Sequence, residues 1–148
     1  GVSNSILDKP GKLTDEEFAQ IKRHPVLGDE VLSRIAAFQE LADVASAHHE
    51  RLDGKGYPHG VGADALSLDM RILAVADIFD ALTADRPYRE AMPLEKTFAI
   101  MDDLSGTAID TDCYTALQDA ICLSGWPARQ LTTDGAMDAP EEQGKHSA

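Results

Sequence analysis

The sequence predicts an all-α domain, and three observations carry this prediction. Apolar residues recur at helical spacing through most of the chain, and no segment shows the clear alternation of a half-buried strand. Residues 69–84 are apolar on nearly every side, which is typical of a buried helix. A length of 148 residues with 43% hydrophobic content suits one domain with a core. We expect this domain in residues 1–125 and a disordered tail in 126–148.

The first helical region has recognisable start and interruption signals. Thr14 is a suitable N-cap residue, and Glu17, three residues later, completes a capping box. Pro25 prevents an undisturbed helix, because its ring clashes with the preceding turn and it lacks a backbone N–H. Two helical pieces are therefore expected to meet near His24.

The middle of the chain is predicted to contain a second helix and a long loop. The helix should cover 40–49 and bury Leu41, Val44 and Ala45. The segment 53–62 has four glycines and one proline in ten residues, which indicates an irregular loop. Further helices are expected over 69–84, 94–104 and 111–123.

Two aspartates, Asp77 and Asp80, interrupt the most apolar helix. Burying an unpaired carboxylate is costly, and the i, i+3 spacing places both carboxylates on one face. One interpretation is that they meet a cation at a functional site. The other is that one caps a neighbouring helix while the other pairs with Arg71 or Arg86.

Three histidines form a second unusual set. His48 and His49 are adjacent at an expected helix end, where their side chains would point about 100° apart. Such a pair could serve two metal ions, although favourable placement at a helix C-terminus also explains it. His24 precedes Pro25 at the other interruption. Together with Asp77, these nitrogen and carboxylate ligands are typical of an iron, manganese or zinc hydrolase.

Charge restricts the possible partners of the chain. A formal net charge of −13 argues against a general nucleic-acid binder, and a phosphate ligand would need a local cation. Arg86 and Arg89 flank a proline and could hold a phosphate, although solvated arginines are the alternative. No stretch of the sequence approaches the ~20 apolar residues of a membrane span, and no basic start followed by an apolar run indicates a signal peptide. Cys113 and Cys122 lack metal or disulfide spacing, which favours the reducing cytoplasm.

Residues 48–58, HHERLDGKGYP, resemble the signature HHExxDGxGYP of the HD-GYP family, a bacterial branch of the metal-dependent HD phosphohydrolases. Similarity to the family extends over about residues 1–123, in segments 9–18, 21–25, 71–77, 80–83, 85–89 and 105–107 with Asp110. The resemblance implies an HD-superfamily-like helical bundle. It also implies a cyclic di-GMP phosphodiesterase, in which a metal-bound hydroxide attacks phosphorus.

The resemblance assigns roles to particular residues. The ligands of two or three divalent ions, iron or manganese, would include His24, His48, His49 and Asp77. The loop residues Gly56, Tyr57 and Pro58 would line the substrate pocket, and Arg86 and Arg89 would contact the phosphates. Other partners implied are diguanylate cyclase domains and an upstream receiver or sensor domain.

One departure from the family pattern concerns the N-terminal side. The His-Asp pair of the family lies immediately before the segment that residues 1–7 resemble. We therefore expect a bundle truncated at that side, with no complete catalytic set in this chain and no activity when it is alone. The alternative is a non-catalytic cyclic di-GMP signalling module that binds the nucleotide or a diguanylate cyclase. A phosphohydrolase for other nucleotides is a third reading, which the Gly-Tyr-Pro loop argues against.

Overall fold

The computed structural model describes residues 2–3, 6, 9, 11–85 and 89–126 of the chain. The chain divides into two units, Gly1–Leu117 and Gln118–Ala148. Residues 118–126 are the described part of the second unit, and they include the end of the last helix. The tail predicted for 126–148 lies, apart from Trp126, outside the described residues.

The all-α prediction is confirmed, since the described part of the chain contains helices and isolated β-bridges but no β-strand. Two 3-10 helices cover Ala36–Phe38 and Ala63–Ala65. The α-helices are α1 (Asp15–Ile21), α2 (His24–Leu32), α3 (Gln39–Ser46), α4 (Leu68–Thr83), α5 (Leu94–Leu104) and α6 (Thr111–Ser124). None of these described helices is long and apolar enough to cross a bilayer.

The junction of α1 and α2 follows the sequence signals. Thr14 Oγ1 accepts a hydrogen bond from the Glu17 backbone N–H at 3.3 Å, and Glu17 Oε2 accepts one from the Thr14 N–H at 2.7 Å. This reciprocal pair is the predicted capping box. Helix α2 begins at His24 with Pro25 in its first turn, where a missing N–H costs no helical hydrogen bond.

Helix α3 differs from its prediction in length and orientation. It ends at Ser46 instead of residue 49, and its buried residues are Ala42 and Ser46. The predicted core residue Leu41 is 55% exposed, while Val44 and Ala45 are half-buried. Because α3 packs against α2 and α4, small residues at i, i+4 spacing form its covered face, and the large leucine lies outside it.

Helix α4 is covered on one side only, so the expectation of a fully buried central helix is wrong. Ala74, Val75 and Phe79 are buried, whereas Leu68 is 65% exposed, and Ile72 and Leu73 are also exposed. The buried side meets α5, where Phe79 and Phe98 stack at a centroid distance of 6.2 Å and Met101 is fully buried. Helices α5 and α6 match the predicted segments to within one residue.

Candidate metal centre

The three predicted histidines converge on one place in the structure. His24 opens α2, while His48 and His49 lie in the turn after α3. Each offers one ring nitrogen, and these nitrogens all lie within 4.8 Å of one another. Because α3 ends at Ser46, before either residue, the helical geometry behind the expected 100° divergence of His48 and His49 does not apply, and their ring centroids lie 4.0 Å apart. The set can therefore serve a single ion.

Two of these rings present lone pairs to each other. His24 Nδ1 donates to the Ile21 carbonyl at 2.7 Å, and His48 Nδ1 donates to the Ala45 carbonyl at 2.5 Å. A carbonyl oxygen only accepts, so Nδ1 carries a proton and the neutral form of each ring has its lone pair on Nε2. The two Nε2 atoms are 3.0 Å apart. Facing lone pairs at this distance repel unless a proton or a cation lies between them.

This donor set fits a divalent metal ion. Metal–imidazole bonds are about 2.0–2.1 Å long, so two ligands at a right angle would be separated by roughly 3.0 Å. The backbone carbonyls that accept from both Nδ1 atoms also fix the tautomer and ring orientation that a histidine ligand needs.

His49 and Asp77 adjoin the facing pair. His49 Nδ1 lies 3.7 Å from Asp77 Oδ2. Burial, and next the neighbouring His48, lower the pKa of His49 to about 4, while Asp77 opposes this shift. The His49 imidazole is therefore neutral near pH 7, which is the form that binds a metal. Asp77 is half-buried, and the predicted companion Asp80 is exposed and joins none of the described ion pairs.

The Gly-Tyr-Pro loop lies against this cluster. The Tyr57 ring is 4.7 Å from the His49 ring between centroids, and the Tyr57 N–H donates to the His49 carbonyl at 3.2 Å. Burial, with a smaller contribution from Asp77, raises the pKa of Tyr57 to about 12. Its hydroxyl thus remains a proton donor near pH 7. Gly56 lets the loop approach the chain closely, since an added Cβ would be 2.5 Å from the His49 carbonyl oxygen.

A buried carboxylate within the signature, to which the sequence analysis gave no role, holds the far side of this loop. Glu50 is 3% exposed and accepts the backbone N–H groups of His59 at 2.6 Å, Gly60 at 3.2 Å and Val61 at 3.2 Å. These three bonds replace the water that a buried carboxylate loses. An acid placed three residues before a glycine-rich loop was the available signal, because such loops expose backbone donors.

Of the three arginines named from the sequence, Arg71 and Arg89 lie among the described residues. Arg71 does not pair with Asp77 or Asp80. Its guanidinium instead donates to Asp110 Oδ2 at 3.0 Å and to the carbonyls of residues 63 and 66. Arg89 donates to the Ala81 carbonyl near the end of α4. Arg86 lies outside the described residues.

Comparison with known proteins identifies the family. The sequence profile of the HD domain family matches residues 3–113, which is most of the chain. The chain belongs to the HD domain family. This match includes all three histidines and Asp77, so the cluster lies within the HD domain. Divalent metal binding, which the family implies, agrees with the donor set of the cluster.

Three relatives of this HD domain carry names of phosphodiesterases. The 3'3'-cGAMP-specific phosphodiesterase 3 of Vibrio cholerae is 52% identical over 123 residues, which cover 83% of this chain and 27% of that protein. The cyclic di-GMP phosphodiesterase response regulator RpfG of Xanthomonas campestris is 45% identical over 118 residues, covering 78% and 31%. A cyclic di-GMP phosphodiesterase of Thermotoga maritima is 44% identical over 108 residues, covering 72% and 29%.

These relatives confirm the resemblance to the HD-GYP branch that the signature at 48–58 indicates. This HD domain spans less than a third of the length of each of the three.

Replacing Glu50 with glutamine is expected to lower the free energy of unfolding of this HD domain by about 1.5–3 kcal/mol. The amide keeps the shape of the side chain, but its NH2 group would face a backbone donor of the loop and leave that N–H without an acceptor. Urea unfolding followed by circular dichroism measures the loss. Glu30→Gln is the control, because Glu30 is exposed on α2 and forms none of the hydrogen bonds described. Equal losses for the two variants would contradict the loop-holding function of Glu50.

Proposed function

We propose that this HD domain supplies part of the active site of a metal-dependent cyclic di-GMP phosphodiesterase. The observation that carries the proposal is the pair of Nε2 lone pairs of His24 and His48, 3.0 Å apart, with His49 and Asp77 beside them. The names of the relatives give the substrate class, which we extend to the longer protein that carries this chain.

The proposed metal ligands are His24, His48, His49 and Asp77. We propose iron or manganese, with two or three ions held in the longer protein, because a mixture of imidazole and carboxylate ligands suits both metals. When bound, such ions polarise a phosphoryl oxygen and activate water. The backbone carbonyls behind His24 and His48 hold the two imidazoles in the orientation that metal binding requires.

The loop and the arginines would hold the substrate. We propose that Gly56, Tyr57 and Pro58 line the substrate pocket, since the Tyr57 ring lies against His49 and the protonated Tyr57 hydroxyl can donate to a phosphate oxygen. We propose that Arg86 and Arg89 contact the phosphates as well. Local cations of this kind are needed because the chain as a whole, at −13, repels an anionic nucleotide.

The proposal extends to location and partners. Two unpaired cysteines, Cys113 and Cys122, suit the reducing cytoplasm of a bacterium. RpfG is named a response regulator, which supports a receiver or sensor domain in the longer protein. Diguanylate cyclase domains are further proposed partners.

A second candidate substrate is 3'3'-cGAMP. The relative with 52% identity is named as specific for this nucleotide, and it shares the same region of the chain. Both cyclic dinucleotides present two phosphodiesters in one ring, so the metal cluster alone does not distinguish them.

Hydrolysis assays with both nucleotides test the proposal. The longer protein and this 148-residue chain are each supplied with manganese or iron, and products are separated by chromatography. We expect the longer protein to hydrolyse cyclic di-GMP and the 148-residue chain alone to lack turnover. Binding without hydrolysis by either protein would favour the non-catalytic signalling module. Turnover by the chain alone at the rate of the longer protein would overturn its predicted incompleteness.

A further inference from the structure

Aromatic side chains continue from the histidine cluster toward the surface. The Tyr57 ring lies 4.7 Å from that of His49, and the Phe18 ring lies 6.3 Å from that of Tyr57 at an angle of 78°. Lys22, one helical turn after Phe18, places its Nζ 4.7 Å from the Phe18 centroid and 5.7 Å from the Tyr57 centroid. A row of π faces with one positive charge thus leads away from the candidate metal centre.

The outer end of this row is open to solvent. Phe18 is 43% exposed, and α1, which carries it, has no buried residue. The Lys22 ammonium rests on the two rings, and none of the ion pairs among the described residues involves it. The ring faces under this ammonium can also stack with a planar base, since every base has a π face.

We infer that Phe18, Tyr57 and Lys22 form a subsite for a purine base of the cyclic dinucleotide. This inference rests on the proposed function, in which a phosphodiester lies at the histidine cluster. Each base of a cyclic dinucleotide is joined through its ribose to the phosphates, so it must bind beside the cluster and not in it. Aromatic side chains bind bases by stacking, whatever the base sequence. The flexible Lys22 side chain leaves the rings when a base stacks there and turns to a phosphate oxygen.

Nucleotide binding by variants of Phe18 tests the subsite. Calorimetry with cyclic di-GMP and manganese is performed on the 148-residue chain and on its Phe18→Ala, Phe18→Leu and Phe18→Tyr variants. We expect alanine and leucine to weaken binding about tenfold or more and tyrosine to retain it, because stacking requires a π face. Leucine restoring full affinity would overturn the subsite, since an apolar side chain would then suffice.

Two controls separate the subsite from other effects. Phe38 is 42% exposed and belongs to a different helical segment, so Phe38→Ala should change the affinity less than about twofold. Binding of inorganic phosphate, which has no base, should not depend on Phe18.

Hydrolysis by the longer protein together with nucleotide affinity that is independent of Phe18 would refute the subsite but not the proposed function. Nucleotide affinity that depends on Phe18, together with no hydrolysis by the longer protein, would refute the proposed function but not the subsite. Failure of the 148-residue chain to bind the nucleotide would overturn the subsite.

Discussion

Replacing Gly56 with alanine is expected to lower the free energy of unfolding by about 3 kcal/mol or more. A Cβ at this position would lie 2.5 Å from Glu50 Cα and from the His49 carbonyl oxygen, and 2.6 Å from the Arg51 nitrogen. All three are backbone atoms, which cannot turn aside as the end of a side chain can. The loop would have to separate from this segment, and Tyr57 would move away from the His49 ring.

Gly28→Ala is the matched control for this variant. Gly28 lies inside α2, and a Cβ there would meet no heavy atom within 4 Å. Alanine is the better helix former, so this substitution should stabilise the chain by about 0.5–1 kcal/mol. Urea unfolding followed by far-ultraviolet circular dichroism measures both variants. Unchanged stability of Gly56→Ala would contradict the close approach of the loop.

Replacing His48 with alanine is expected to weaken the binding of manganese at least about 100-fold. Removal of groups that only orient a metal ligand costs about 10–100-fold in affinity, and His48 is proposed as a ligand itself. The change removes one of two ring nitrogens that face each other at 3.0 Å. Calorimetric titration with manganese at neutral pH, where the His49 imidazole is uncharged, measures the effect.

His59→Ala is the corresponding control. The His59 residue is exposed, and its contact with Glu50 is made by its backbone N–H, which alanine retains. Manganese affinity should therefore change less than about twofold. If His48→Ala bound manganese as tightly as the unchanged chain, the ion would have to bind somewhere other than the histidine cluster.

Local signals predicted the helices well, whereas burial depended on neighbours that a single sequence does not reveal. The capping box at Thr14 and the break at Pro25 are properties of a few adjacent residues, and both are confirmed. The sequence of helix α4 is apolar on nearly every side of the helix, yet Leu68 and Ile72 are exposed in the structure. Periodicity shows which positions are apolar but not which of them another helix covers.

For the candidate site as well, the sequence indicated the residue types, whereas their geometry depended on the fold. The residue types of His24, His48 and Asp77 indicated a metal centre before any geometry was known. The expected divergence of His48 and His49 assumed a helix that continues to residue 49. Helix α3 ends at Ser46 instead, and the two rings approach each other in the turn that follows. Glu50 was missed because its partners are backbone N–H groups, which every residue type except proline carries.

The anchoring of the 53–62 loop has a thermodynamic consequence for ligand binding. Fixing the backbone of one residue costs about 1–2 kcal/mol of conformational entropy. In this chain the Glu50 carboxylate, the close contact at Gly56 and the Tyr57 N–H bond restrict the loop when the domain folds. A ligand then meets a surface that is already ordered, and little of its interaction energy is needed to organise the loop. A segment rich in glycine can thus act as a rigid, preorganised wall.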